Sequence, residues 1–138
     1  MTFVQKAGSL LAVLALVACA HTMAGKRVNV TLSGAEEVPP VSTAARGSGS
    51  FSIGDDGAVS GSVTTTGVQG TMAHIHMAAK GQNGPVIVPL TKSGDTYTAP
   101  PGAKLNDAQM AAYKAGNLYV NVHSEANKGG EVRGQLNP

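Results

Sequence analysis

The sequence predicts an all-β fold, a Greek-key antiparallel β-sandwich with one short helix. Three observations carry this. Apolar and polar residues alternate with a period of two through most segments, the pattern of a half-buried strand. Glycine-, proline- and aspartate-rich turns interrupt these segments at short intervals, and only one stretch carries helix caps. A small closed barrel would use the same strands.

The elements follow in order. Residues Lys26–Ser33 place Val28, Val30 and Leu32 on one face and Asn29, Thr31 and Ser33 on the other. Gly34 to Pro40 ends in two prolines, which lack the ladder donor, so this is a loop or an edge. Ser48–Ile53 and Ala58–Thr66 are the next strands, joined by the turn Gly54-Asp55-Asp56-Gly57. Thr71–Met77 is the fourth, followed by the Gly-rich loop Ala78–Gly84 and the apolar strand Pro85–Leu90. A weaker strand runs to Thr98 after a Ser93-Gly94-Asp95 turn. Asn106 and Gln109 form a variant capping box ahead of an Ala-rich helix to Lys114, which Gly116 ends. Leu118–His123 directs Leu118, Val120 and Val122 one way and Tyr119, Asn121 and His123 the other. Asn127 to Gly130 turns the chain into Glu131–Leu136, the eighth strand.

The first residues read as a targeting segment. Lys6 is the only charge before Lys26 and precedes an apolar run from Ala7 to Ala18, too short to span a bilayer. Leu16-Val17-Ala18-Cys19 resembles a bacterial lipobox, in which Cys19 is acylated and becomes the first mature residue. Cleavage after Ala20 or Ala24 by the small-x-small rule is the alternative. The expected organisation is a signal peptide over 1–18, a lipidated N-terminus and tether over 19–26, and one domain over 27–138. That implies a bacterial cell-envelope lipoprotein, periplasmic or at the surface, held to the membrane through Cys19. No cysteine follows Cys19, so the domain has neither disulfides nor thiolate ligands. Without Lys6, nine Lys/Arg stand against eight Asp/Glu and form no basic block, which argues against nucleic-acid binding.

Two histidines in one strand are the chemical signal. His74 and His76 share a face with Met72, about 7 Å apart at a rise of ~3.3 Å per residue, close enough to converge on one ion. His123 is the candidate third ligand, on a strand of matching polarity. Three imidazoles suit copper or zinc, and the soft sulfur of Met72 would favour Cu(I). The alternative is a set of histidines that only make hydrogen bonds on a solvated face. Asn121 and Glu125 are candidates to orient a ligand imidazole. Arg133 either attracts an anion toward the metal or pins the last strand by pairing with Glu131, Glu36 or Glu37. His21 follows Cys19 closely and reads as tether, although a free terminus there could chelate Cu(II). Asp55-Asp56 is turn chemistry, and neither a phosphate loop nor a Ser-His-Asp order is present.

The segments Val30-Thr31-Leu32-Ser33-Gly34-Ala35-Glu36-Glu37-Val38-Pro39-Pro40, Ala73-His74-Ile75-His76, Ala115 to His123 and Gly130 to Leu136 resemble, in order, the CHRD domain. That module was first described in the developmental regulator chordin and is widespread in bacterial exported proteins. The likeness spans Val28 to Leu136 and implies a domain without a settled biochemical activity. A looser similarity links the histidines to the copper side of copper–zinc superoxide dismutases, themselves Greek-key sandwiches. It implies that His74 and His76 match the paired copper ligands, His123 the late one and Arg133 the anion-guiding arginine. The chain lacks a histidine between His76 and His123, so the bridging ligand and zinc cluster are missing, as is the disulfide. The expected function is binding of one copper ion through His74, His76 and His123, in copper binding or tolerance, more plausibly without catalysis. A zinc-free dismutase and a metal-independent protein-interaction module are the alternatives.

Overall fold

The computed structural model describes residues 25–138, and the expected leader, Cys19 and His21 lie outside the described residues. Among the described residues nine strands, one α-helix and a single 3-10 turn at Gly34–Glu36 are formed: β1 Lys26–Ser33, β2 Arg46–Ile53, β3 Val59–Thr66, β4 Gly70–Met77, β5 Val86–Pro89, β6 Thr91–Ser93, β7 Thr96–Thr98, α1 Asp107–Lys114, β8 Leu118–Ser124 and β9 Val132–Leu136. Among the described residues no helix is long and apolar enough to cross a membrane.

The strands form one antiparallel sheet in the order β5-β4-β8-β9-β1-β2-β3-β7-β6. Its two edges are consecutive in the chain. β5 lies against β4 and β6 against β7, with only Leu90 between them, and the Leu90 amide donates to the Ala73 carbonyl at 3.0 Å. A single segment thus borders both ends, and the sheet curls into a near-closed barrel with no long open edge. β3 to β4 and β7 to β8 join strands that are not neighbours, the crossovers of a Greek key, so the structure accords with the predicted dismutase-like sandwich.

The alternation sets the inside. Val28, Val30, Leu32, Phe51, Ile53, Val63, Ala73, Ile75, Leu118, Val120, Val122, Val132 and Leu136 line the interior. Each large aliphatic side chain so buried contributes roughly 1.5–3 kcal/mol. The helix forms where its caps predict. Asn106 accepts from the Gln109 amide and Gln109 returns a bond to the Asn106 amide, both at 2.9 Å. At the other end the Gly116 and Asn117 amides donate to the Tyr113 and Ala112 carbonyls, a Schellman closure that Gly116 permits at φ +75°.

Two details differ from expectation. The weak strand ending at Thr98 is a hairpin of two three-residue strands, β6 and β7, about a turn in which Gly94 takes φ +59°. Val86, part of the apolar strand expected over Pro85–Leu90, does not join Val88 in the core. A register shift between Ile75 and His76 sets Val86 opposite His76, leaving it 48 % exposed.

Candidate metal centre

The register of β4 on β8 builds the site. Met72 lies opposite His123, His74 opposite Asn121 and His76 opposite Tyr119, and directly opposed residues share a face. With Ala73, Ile75, Val120 and Val122 committed to the core, these six side chains stand on the outer face of the barrel. There the imidazoles of His74, His76 and His123 converge, offering one nitrogen each within 4.8 Å of one another.

Backbone carbonyls decide which nitrogens are free. His76 Nδ1 lies 2.9 Å from the Gly84 carbonyl and His123 Nδ1 lies 2.7 Å from that of Lys128. A carbonyl only accepts, so each Nδ1 carries the proton and each neutral ring keeps its lone pair on Nε2. A metal-bound histidine is commonly held by such an outer bond. His123 Nε2 faces His74 Nδ1 at 3.1 Å. Two nitrogens bound about 2.05 Å from one ion at an angle near 100° stand about 3.1 Å apart. His76 Nε2 is buried with no hydrogen-bond partner. An orphaned lone pair beside two further ring nitrogens fits a cation. Burial lowers the His74 pKa first, and the neighbouring His123 and His76 lower it further. Burial also lowers that of His76, with His123 and Arg133 adding to it, against the opposing pull of the Gly84 carbonyl and the Asn121 side chain. At neutral pH these two rings are uncharged and able to ligate. The cluster can coordinate a transition metal such as copper or zinc.

The loop over Ala78–Gly84 covers this face and is tied down by side chains from beneath. Arg133 donates to the Gln82 carbonyl at 2.6 Å and to Asn83 Oδ1 at 3.2 Å, and Gln135 Nε2 donates to the Ala78 carbonyl at 3.0 Å. The Gly84 amide donates to the Tyr119 hydroxyl at 3.2 Å. The Tyr119 ring is stacked parallel to His76 with centroids 4.7 Å apart, and the Arg133 Cζ stands 3.4 Å from its centroid. Two groups so close cannot share one ring face, so Tyr119 is held between imidazole and guanidinium.

The remaining predicted residues fall in distinct places. Met72 shares the histidine face but is 51 % exposed, at the rim. Asn121 is at the centre of the face and buried. Glu125 is exposed and pairs with Lys128 at 3.9 Å, and it is the Lys128 backbone that holds His123. Arg133, 1 % exposed, forms no ion pair with Glu131 or Glu36. Glu131 instead accepts from Ser124 and Thr43, which together with Asn127 hold its pKa low against burial, while Glu36 pairs with Lys80 at 3.2 Å. Glu37 is buried near Arg133, and burial pushes its pKa up to about 7 against the opposing Arg133 charge and the Asn121 amide.

Tyr119 carried a signal in its place beside Asn121 and His123 on the polar face of β8, though not its stacking role. The carbonyls of Gly84 and Lys128 carried none, because every residue has one. Gly130 read only as a turn, yet at φ +130° it has Glu37 and Asn121 packed where a Cβ would stand.

No curated protein and no solved structure matches this chain. The family model described as "CHRD domain" matches residues 28–136. That match spans every strand of the barrel except the first two residues of β1, and the chain belongs to the CHRD domain family.

Proposed function

We propose that this protein holds a single copper ion through His74, His76 and His123 and serves in copper binding or tolerance in the cell envelope. One observation carries the proposal. Two imidazoles are fixed through Nδ1 by backbone carbonyls, His123 Nε2 meets His74 Nδ1, and His76 Nε2 is left buried without a partner, with one nitrogen of each ring within 4.8 Å of the others. Copper is preferred to zinc because the lipobox-like leader supports an exported domain, where copper is the metal expected. Acylation of Cys19 would tether the domain to the membrane.

Binding is favoured over turnover by the state of Arg133. Its guanidinium is buried, bonded to Gln82 and Asn83 and stacked on Tyr119, so it does not stand free to draw an anion to a metal. The test is anaerobic Cu(I) and aerobic Cu(II) titration, with Zn(II) alongside, of the wild-type protein and of the His74→Ala/His76→Ala/His123→Ala variant. One equivalent of copper bound by the wild type and lost from the variant by more than 100-fold is expected, beyond the ~10–100-fold that outer-shell partners carry. Equal weak binding by both proteins refutes the assignment.

A further inference from the structure

Asn121 occupies the middle of the outer face, with Tyr119 and His123 flanking it on β8, His74 opposite on β4 and Arg133 opposite on β9. It is 2 % exposed. Both groups that can accept from its amide nitrogen lie on the same side. The Gly129 carbonyl is 3.4 Å from Nδ2. The Glu37 carboxyl packs beside the amide over Gly130, whose missing Cβ would collide with both Glu37 Oε1 and Asn121 Nδ2, and the amide draws the Glu37 pKa down. With the nitrogen turned to these acceptors, Oδ1 is directed away from them, toward the histidines.

That oxygen has no hydrogen-bond partner, and neither has His76 Nε2, which stands in the same buried face. His76 has committed its one ring proton to Gly84, so neither atom can donate to the other. Two buried lone-pair acceptors this close repel until a cation joins them, either a second ring proton on His76, whose pKa the Asn121 side chain raises, or a metal ion. The histidines alone leave the Asn121 oxygen unexplained.

Resting on the assignment of the three histidines as ligands, we infer that Asn121 Oδ1 is the fourth donor to the same ion, completing a three-nitrogen, one-oxygen set. Glu37 is a positioning residue that acts through Asn121 by receiving its amide nitrogen. The alternative fourth donor, the Met72 sulfur, lies at the rim in contact with solvent, whereas Asn121 is already buried and directed inward. An amide oxygen is a harder donor than a thioether, so the completed set discriminates in favour of Cu(II) over Cu(I).

The test is electron paramagnetic resonance and affinity measurement on the full chain loaded with Cu(II), using wild type, Asn121→Leu, Asn121→Asp, Met72→Leu and His123→Ala. Asn121→Leu is expected to weaken Cu(II) binding at least tenfold and to shift the copper hyperfine pattern, with a smaller change in Cu(I) affinity. Asn121→Asp, which keeps an oxygen and nearly the same shape, restores binding with a spectrum altered by the charged donor. Met72→Leu leaves the Cu(II) spectrum as in wild type. A wild-type spectrum in both Asn121 variants, with copper still lost on His123→Ala, overturns the fourth donor and leaves the three-histidine site standing. A spectrum that moves with Met72→Leu instead overturns it in favour of sulfur. Failure of the wild type to take up Cu(II) at all overturns both.

Discussion

Along β3 the outward residues Ser60, Thr64 and Thr66 are open to water, while along β8 every residue from Leu118 to Ser124 is buried on both faces. Both strands belong to the same sheet and both alternate. The difference is what lies outside them. Small hydroxyls on β3 satisfy themselves with solvent or with each other, as Thr64 does with Thr96 at 2.9 Å. On β8 the outward side chains are Tyr119, Asn121 and His123, and the loop Ala78–Gly84 and the turn at Asn127 to Gly130 close over them. Covering polar groups is costly unless each finds a partner. The bare half shows that a barrel of this size does not need its outer face covered. On the covered half two buried acceptors, His76 Nε2 and Asn121 Oδ1, are left without partners on the face where the histidines meet.

This contrast can be broken at its largest point by Arg133→Ala. The loop would lose a cation bonded to Gln82 and Asn83 and stacked on Tyr119, leaving two acceptors and a void. A loss of about 3 kcal/mol is expected from urea unfolding. The matching truncation on the bare half, Thr64→Ala, stays within ~0.5 kcal/mol. Equal effects would mean that the loop is no better anchored than open surface.

Gly130→Ala is the next sharpest probe. The new Cβ enters the space of Glu37 and Asn121 at a backbone angle that L residues rarely adopt, and about 2 kcal/mol is expected to be lost. Metal affinity should fall with it. The exposed Gly81, which has nothing near its missing Cβ, should respond only through its own strain at φ +80° and leave metal affinity unchanged.

The smallest effect is the pH profile of the metal-free protein. Glu37 has a folded pKa of about 7, above its ordinary 4.5, so its contribution to stability is full below pH 4.5 and lost as pH rises through 7. His74 and His76 lie below their ordinary 6.5, so theirs is full above pH 6.5 and declines as pH falls below it. Glu37→Gln is expected to flatten the first slope and spare the second, read from the urea midpoint between pH 4 and 8. A profile unaltered by the substitution would show that Glu37 ionises as a solvated carboxylate does.

The sequence by itself determined the helix with both its caps and the strands with the polarity of their faces, apart from the β6–β7 hairpin and the exposed Val86, because these depend on neighbours two to four residues away. It also determined that His74 and His76 share a side, since strand geometry leaves no alternative. Only the tertiary structure decided that β8 lies beside β4 in the register that brings His123 to them. It alone assigned Arg133 to the loop instead of to a carboxylate, and joined Glu37 to Asn121 across Gly130. Those outcomes depend on contacts across roughly fifty to more than eighty residues of chain and on backbone carbonyls, which leave no mark on the identity of the residue that carries them.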